Sequence, residues 1–217
     1  MSPRDRILQA AMTVFRRHGF RRSSIEETAE AAGLTRQALY HHFKSKEALF
    51  RAVIERVHDG ALADGATAAE RTEAAGGTLA DIIVAQVAAR LKAFVASFDG
   101  SPHVEELFSE HLIHARDLYQ HYAALHDAQV AATVERIVKR QKLALASGMT
   151  AAKLARFVEL AITGTKSAYP SMRPADAFLR DAEAMLRTLI AGAVAPSKPT
   201  KPSPSARPVR RKAGVRK

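Results

Sequence analysis

The first fifty residues are divided into short segments of helical periodicity by capping residues and glycines, and no other feature constrains the fold as much. A serine or threonine ahead of a segment can accept a hydrogen bond from a free amide of its first turn, and glycine can end a helix at positive φ. The caps are Ser2, Ser24, Thr35 and Ser45, and the stops are Gly19 and Gly33. This pattern predicts a helix over 3–18, two helices of about two turns, and a longer fourth helix.

Helical periodicity continues beyond residue 60, while the alternation of apolar and polar residues that marks a strand is almost absent. The Ala- and Gly-rich stretch 63–77 is interpreted as a loop or hinge. Further helices are predicted over 79–98, 103–115 and about 117–147, then from Thr150 and from Pro174. The sequence therefore predicts an all-α fold of about nine helices.

Charge is unevenly distributed along the chain, whose formal net charge is +11. Residues 1–60 carry +4, residues 61–195 carry −1, and residues 196–217 carry +8. Two basic ends beside a neutral middle indicate a polyanionic partner, and nucleic acid is favoured over a membrane because no strongly amphipathic basic helix is found. The last segment holds five of the nine prolines and no acidic residue, so it is predicted to be disordered.

The composition excludes several classes of protein. The chain has no cysteine, which rules out disulfides, thiolate nucleophiles and Cys-ligated zinc. The N-terminus lacks the apolar core of a signal peptide, and no stretch approaches the roughly 18 apolar residues of a membrane span, so a cytoplasmic protein is expected. Without a phosphate-binding glycine loop, a G-x-S-x-G elbow or committed paired carboxylates, an enzyme is the least supported class, and no cofactor is expected.

The two short helices joined through "AAGLT" have the dimensions of a helix-turn-helix. At 100° per residue, Leu39 and Phe43 share one face of the second helix, while Gln37 and His41 lie on the opposite face. The first pair is therefore predicted to be buried and the second pair to face outward. A solvated surface helix is the alternative interpretation of the polar face.

The outward groups have the chemistry of DNA recognition. Gln37 can bond adenine bidentately, Arg36 can reach guanine or phosphate, and Ala38 can meet a thymine methyl. The hydroxyl of Tyr40 can donate to phosphate. Lys46 opposes the helix dipole at the first position of its helix, which is explained if a phosphate docks at that helix end.

The stretch from about Arg6 to Arg56 resembles the N-terminal DNA-binding domain of the TetR family of bacterial transcriptional regulators. The pattern A-x-x-A-G-[VL]-[ST]-x-x-x-L-Y-x-H-F-x-x-K-x-x-L is matched from Ala29 to Leu49. The resemblance covers about a quarter of the chain and implies a homodimer whose recognition helices enter successive major grooves of a palindromic operator. It implies phosphate contacts from Thr35, Tyr40, His42 and Lys46, base contacts from Arg36, Gln37, Ala38 and His41, and a helix cap with a further phosphate contact from Ser24.

Two positions depart from the family pattern. Thr28 stands where an apolar residue is usual, so its hydroxyl must bond back to its own helix. Glu26 stands where some members carry a basic residue, so the first helix of the motif is expected to contribute little to base reading.

The resemblance also implies three parts: a DNA-binding domain over 1–58, a ligand-binding and dimerisation domain over 59–195, and the basic tail 196–217. The last two helices are expected to pair across a twofold axis. The apolar stripe of the last helix, expected at that interface, consists of Phe178, Met185, Leu189 and Ile190.

Five histidines lie within residues 103–126 and are interpreted as part of a ligand pocket. A metal bound by His111 and His114, with Glu110 or Asp117, is a less favoured alternative, and no metal site is predicted. The predicted pocket residues are Phe94, Phe98, Phe108, His111, His114 and Tyr122.

These features together predict a ligand-responsive, DNA-binding transcriptional regulator. We expect a repressor that binds a palindromic operator as a homodimer and is released by a small-molecule effector. The alternative is a nucleoid-associated structural protein that binds double-stranded DNA through its basic tail.

Overall fold

The computed structural model describes residues 2–195, so the predicted disorder of the tail 196–217 falls outside the described residues. The described part contains α-helices and one 3₁₀ turn, at Pro170–Met172, and no strand. The prediction of an all-α fold of about nine helices is confirmed. The helices are α1 (Pro3–Arg22), α2 (Ile25–Ala31), α3 (Arg36–His42), α4 (Lys46–Ala74), α5 (Leu79–Phe98), α6 (Val104–His114), α7 (Arg116–Gln141), α8 (Ala151–Ala168) and α9 (Ala175–Ala193).

The predicted caps open the first four helices. The hydroxyls of Ser2, Ser24, Thr35 and Ser45 each accept a hydrogen bond from a first-turn amide. Gly19 leaves the helical region, with φ 76° and ψ 169°, but one more turn follows it and α1 continues to Arg22. The predicted stop is therefore a break within α1, and the extra turn carries Phe20 into the core of the N-terminal helices.

Aromatic rings hold α1 against α4. Phe15 and Phe50 meet edge to face with ring centroids 5.3 Å apart, and Phe20 lies 4.8 Å from Phe50. All three rings are buried, as is Leu49 in the first turn of α4. This small core is the support on which α2 and α3 rest.

The predicted loop over 63–77 is wrong, because α4 continues without a break to Ala74. Alanine is the best helix former, and the small residues here serve close packing against α5 rather than a turn. A Cβ on Gly65 would lie 2.8 Å from the Gln86 carbonyl oxygen, and Ala68 and Ala69 are buried. The domain boundary after residue 58 falls inside this helix and stays a prediction.

In the C-terminal half, α5 packs against α4 and α9, and α8 packs against α7 and α9. Helix α7 ends earlier than the predicted residue 147, because Lys142 adopts a left-handed conformation, with φ 52°. Leu145 in the following turn pairs with Val194 in an isolated antiparallel bridge, which fastens the end of α9. No helix within residues 2–195 is both long and apolar enough to cross a membrane.

Candidate nucleic-acid interface and ligand cavity

Helix α3 presents the face that its periodicity predicts. Leu39 is fully buried and Phe43, which caps the helix, is nearly so, while Gln37 and His41 are exposed. The prediction of which residues face inward is therefore confirmed. The buried pair fixes the rotation of α3 about its own axis and turns the amide and imidazole outward.

The turn between α2 and α3 is set by backbone hydrogen bonds and one glycine. The Leu34 amide donates to the Ala29 carbonyl at 2.8 Å across Gly33, whose φ of 66° is in the left-handed region. The Thr35 hydroxyl then accepts from the Ala38 amide at 3.2 Å and starts α3. Any larger residue at position 33 would strain the turn that orients α3.

Helix α2 is stabilised by a reciprocal cap. Ser24 accepts from the Glu27 amide at 3.1 Å, and the Glu27 carboxylate accepts from the Ser24 amide at 2.8 Å. These bonds lower the pKa of Glu27 below its ordinary value. Thr28, fully buried, donates its hydroxyl to the Ser24 carbonyl at 3.1 Å, so the expected bond of Thr28 to its own helix is confirmed.

Arg36 is held in place by two neighbours. Its Nε lies 2.8 Å from Oε1 of Glu26 on α2, and its guanidinium lies 5.5 Å from the centre of the Tyr40 ring. The arginine and glutamate side chains are mostly exposed, so the pair contributes little to stability. Glu26 thus holds the Arg36 side chain beside Tyr40 along the outer face of α3.

Lys46 has an intramolecular role that sequence reasoning missed. Its ammonium donates to the carbonyls of Phe20, Arg21 and Ser23 at 2.9, 3.2 and 3.1 Å, and lies 4.6 Å from the centre of the Phe20 ring. A lysine at the first position of α4 is therefore explained by capping the carboxyl end of α1. Of the other predicted DNA-binding residues on α3, Ala38 and Tyr40 are half-buried and His42 is exposed.

A cavity of about 340 Å³ lies beyond the N-terminal helices and is lined by residues of α4 to α8 and the 3₁₀ turn. This volume is at the lower end of the range for small-molecule sites. Its lining is largely apolar and aromatic, with two cationic side chains. The lining residues are His58, Arg90, Leu91, Phe94, Phe108, His111, Leu112, Tyr119, Thr163, Lys166, Ser167, Tyr169, Ser171 and Met172.

Three of the six predicted pocket residues, Phe94, Phe108 and His111, line this cavity. Phe98 instead lines a neighbouring depression that it shares with Phe108. The other two face elsewhere, which corrects the prediction. Residues three apart on a helix point in directions that differ by about 60°. Since α6 lies between the cavity and α1, His111 and His114 can face different neighbours. His114 accordingly meets Phe20, with ring centroids 5.0 Å apart.

Tyr122 is excluded from the cavity by its own hydrogen bond. Its hydroxyl donates to the Asp59 carboxylate at 2.7 Å, and its ring stacks on His58 at 4.6 Å between centroids. Tyr122 therefore packs against His58, which lines the cavity, and does not line the cavity itself.

Sequence reasoning also missed the two cationic side chains that line the cavity. Arg90 lies between Val87, Leu91 and Phe94 on the apolar face of α5, and this charge inside an apolar stripe is the sequence signal that could have identified it. Lys166 lies on α8, with its ammonium 5.1 Å from the centre of the Tyr119 ring. Burial and the charge of Arg90 lower the pKa of Lys166 to about 8, so the lysine is still mostly protonated at neutral pH.

The cavity histidines are neutral at physiological pH. Burial lowers the pKa of His58 to about 3, helped by His111 and Arg90, and lowers the pKa of His111 to about 4. Their Nε2 atoms lie 3.5 Å apart. Neutral rings can donate or accept one hydrogen bond each without adding positive charge to the wall.

The metal ligands weighed from the sequence do not converge on one point: Nε2 of His114 lies 3.0 Å from Oε2 of Glu110, but His111 lines the cavity. Asp117 is bound bidentately by Arg51 at 2.7 and 2.6 Å, while Glu110 pairs with Arg21. A different set of possible ligands, His126, Asp127 and Glu159, has atoms within 4.8 Å of one another. Two cationic side chains, Arg90 and Lys166, act on Glu159 of that set, which disfavours a further cation there.

Helix α6 joins the cavity to the N-terminal helices. Its Phe108 and His111 line the cavity, while Glu106 and Glu110 bind α1. The Glu110 carboxylate accepts from Arg21 Nε at 2.7 Å, and the Glu106 carboxylate accepts from the Arg21 amide at 2.8 Å. A displacement of α6 by a bound molecule would therefore act directly on the end of α1 that Lys46 caps.

The comparisons with known proteins concern the N-terminal segment in sequence and most of the chain in fold. Residues 7–53 match the family described as "Bacterial regulatory proteins, tetR family". Over 53 residues the chain is 42% identical to the HTH-type transcriptional repressor KstR2 of Mycolicibacterium smegmatis, a match that spans 24% of this chain and 26% of KstR2. The chain thus matches about a quarter of that relative's length, while the segment matched by the family, residues 7–53, contains the helix-turn-helix described above.

Solved structures extend the likeness of fold to the C-terminal half. SmeT, the repressor of the SmeDEF multidrug efflux pump of Stenotrophomonas maltophilia, aligns with a TM-score of 0.57 and 23% identity over 89% of this chain and 91% of its own. Thermus thermophilus FadR, a repressor solved with lauroyl-CoA, aligns with a TM-score of 0.61 and 19% identity over 91% of this chain and 98% of its own. The likeness to the tetR family of bacterial regulatory proteins thus covers the helix-turn-helix segment, residues 7–53, in sequence, while the solved structures show a similar helical fold over most of the chain.

Proposed function

We propose that this protein is a ligand-responsive transcriptional repressor that binds a palindromic operator as a homodimer. The observation that carries the proposal is the outer face of α3, where Gln37 and His41 are exposed because Leu39 and Phe43 anchor the opposite side. A helix fixed in this way can read base edges in a major groove. KstR2 and SmeT, which share the motif and the fold respectively, are named as repressors.

We assign different roles to the residues on this surface. Base reading falls to Arg36, Gln37, Ala38 and His41, and phosphate contact to Ser24, Thr35, Tyr40 and His42. Arg36 would exchange Glu26 for a guanine edge or a phosphate when DNA binds. Lys46 supports this surface without contacting DNA, because its ammonium already donates three hydrogen bonds to carbonyls at the end of α1.

The dimer that we propose uses α8 and α9. Leu160 on α8 and Met185 on α9 are 49% and 47% exposed, and nothing lies within 4 Å of a Cβ added at Gly164. Only part of the apolar stripe expected at this interface can contact a partner, since Phe178 and Ile190 are buried within their own chain. Twofold symmetry would place two α3 helices about 34 Å apart, one turn of the duplex.

Release from DNA would follow from occupation of the cavity. A molecule that contacts Phe108 and His111 changes the preferred position of α6, and Glu106 and Glu110 transmit that change to α1. The molecule shifts the population by its difference in affinity between the two forms, each tenfold corresponding to about 1.4 kcal/mol. An effector with equal affinity for both forms would leave operator binding unchanged.

Selection of binding sites from random DNA tests the proposal. We expect a palindrome with half-sites about 10 base pairs apart, centre to centre. Gln37→Ala should lose about 1–3 kcal/mol on that site and relax one base position in each half-site. Tyr40→Phe, the matched control, should weaken all sequences about equally because it removes a phosphate contact.

Truncation after residue 195 separates this function from structural DNA packaging. A repressor without the basic tail should keep its preference for the palindrome, although its affinity should depend less steeply on salt. If the truncated chain shows no sequence preference, the tail supplies the binding and the repressor assignment fails.

A further inference from the structure

The cavity contains two positive charges in an otherwise apolar wall, and this combination defines the chemistry of a ligand. We propose that the effector is a largely apolar molecule carrying one carboxylate, which Arg90 and Lys166 hold together. The inference rests on the proposed function only in assuming that the bound molecule regulates DNA binding, since binding to the cavity can be measured without DNA. It adds a ligand class and two binding residues to that function.

Arg90 is a buried cation without a partner. Its side chain is 6% exposed and lines the cavity, and it makes no hydrogen bond to the described residues. One of its terminal nitrogens, Nη1, is shielded from solvent and has no acceptor. Burial lowers the pKa of Arg90 but leaves a group that is charged at every physiological pH. A buried, uncompensated guanidinium destabilises the unliganded protein, and an anion in the cavity would remove that penalty.

Lys166 brings a second cation to the same space from another helix. It comes from α8 and Arg90 from α5, and burial together with the charge of Arg90 lowers the pKa of Lys166 to about 8. Its ammonium has no hydrogen-bond acceptor in the described part of the chain and lies over the Tyr119 ring. Two cations that line the same cavity can hold one anion between them.

No acidic side chain compensates these charges inside the cavity. None of the lining residues is Asp or Glu, and within residues 2–195 no carboxylate oxygen lies within 4.0 Å of either cation. Glu159, the acid that acts on both electrostatically, lies outside the lining and is 3.4 Å from His126 Nδ1. The place of a bound carboxylate is therefore not already taken by the protein.

The rest of the wall defines the body of the ligand. Leu91, Phe94, Phe108, Leu112 and Met172 offer apolar contacts, and His58 and His111 are uncharged rings. A volume of about 340 Å³ suits an aromatic ring or a medium alkyl chain. Arginine binds a planar carboxylate through two parallel hydrogen bonds, which makes a carboxylate the best match among anions. A cationic or strongly polar molecule would be repelled or left with unpaired groups.

Isothermal titration calorimetry of the full chain without DNA tests the charge preference. The probes are 4-phenylbutyrate, the alcohol 4-phenyl-1-butanol, the amine 4-phenylbutylamine and 3-phenylpropylphosphonate, with octanoate and octanol as an alkyl pair. We expect each carboxylate to bind at least tenfold tighter than its alcohol, and the amine to bind most weakly. Tighter binding of the phosphonate would overturn the carboxylate assignment. Equal affinity for acid and alcohol, or no binding by any acid, would overturn the proposal.

Substitutions assign the preference to the two cations. Arg90→Met and Lys166→Met should each reduce the ratio of carboxylate to alcohol affinity by at least tenfold. Lys92→Met, which removes an exposed charge from the same helix, should leave the ratio unchanged. Because Arg90→Met removes an uncompensated buried charge, its melting temperature should not fall, and Lys166→Met provides an independent second variant. An unchanged ratio in both variants contradicts the proposal.

The failure of this inference can be distinguished from the failure of the proposed function. Operator selection uses the unliganded protein, and the calorimetry uses no DNA. A protein that selects a palindrome but prefers the alcohols is a repressor with another ligand class. A protein that selects no site but binds carboxylates through Arg90 keeps the binding site and loses the repressor assignment.

Discussion

At the scale of single residues, the same side-chain type serves opposite purposes in different surroundings. Lys46 and Lys166 are both partly buried lysines, yet Lys46 donates to three carbonyls while the Lys166 ammonium has no acceptor in the described structure. The first arrangement satisfies every donor and stabilises the fold. The second leaves a charge available for a ligand.

The Lys46 interactions lead to a prediction about stability. Lys46→Met removes three hydrogen bonds from a charged donor and should lower the free energy of unfolding by about 2 kcal/mol. Urea denaturation measures this loss, with Lys44→Met as an exposed control that should stay within about 0.5 kcal/mol of wild type. Because the ammonium is engaged within the chain, the salt dependence of DNA binding should be unchanged. A slope of log affinity against log salt that falls by about 0.9 would instead assign Lys46 to a phosphate.

At the scale of secondary-structure elements, small residues decide how closely helices approach. The Ala- and Gly-rich part of α4 was predicted to be a loop from its composition, but it is the surface on which α5 packs. The two interpretations share the same sequence signal, since glycine both breaks helices and permits close contact. What separates them is the position of a second helix, which the local sequence does not contain.

Two glycines of α4 should respond to alanine with opposite signs. At Gly65 the new Cβ would lie 2.8 Å from the Gln86 carbonyl oxygen, so Gly65→Ala should destabilise the protein by about 1–2 kcal/mol. At Gly60 nothing lies within 4 Å, so Gly60→Ala should stabilise it by about 0.5–1 kcal/mol through helix propensity. Thermal unfolding of both variants checks the pair. Stabilisation at both positions would show that α4 and α5 are not packed as described.

At the scale of the whole molecule, the proposed function depends on a geometry that one chain cannot provide. In the proposed homodimer each α3 would read half of a palindrome, and the dimer would fix the distance between the two copies. The exposed apolar residues of α8 and α9 lie far along the chain from α3, connected to it through α6 and α1. The proposed function would thus couple ligand, dimer and DNA through the packing of these helices.

The proposed dimer makes a direct prediction. Leu160→Glu places a charge in the α8–α9 surface and should yield a monomer of 23.6 kDa by light scattering, with weaker operator binding. Leu125→Glu, the same change at a leucine of α7 that is 42% exposed, should leave a dimer of twice that mass. A dimer that persists in Leu160→Glu, or dissociates in Leu125→Glu, would place the interface elsewhere.

Sequence alone determined the helical class, the caps and the outward face of α3. These follow from local rules, because capping hydroxyls, the 3.6-residue period and glycine stops act within a few residues of one another. Thus the exposure of Gln37 and the hydrogen bond of Thr28 to its own helix could be predicted without knowledge of the tertiary fold.

Only the tertiary structure decided where the buried charges lie and which residues enclose the cavity. Arg90 and Lys166 are 76 positions apart, and nothing near either one indicates that they meet. His111 and His114 are three positions apart, yet they face different parts of the protein because α6 lies between the cavity and α1. The physical reason is that burial and charge pairing depend on neighbours brought in from distant segments, which periodicity and spacing do not encode.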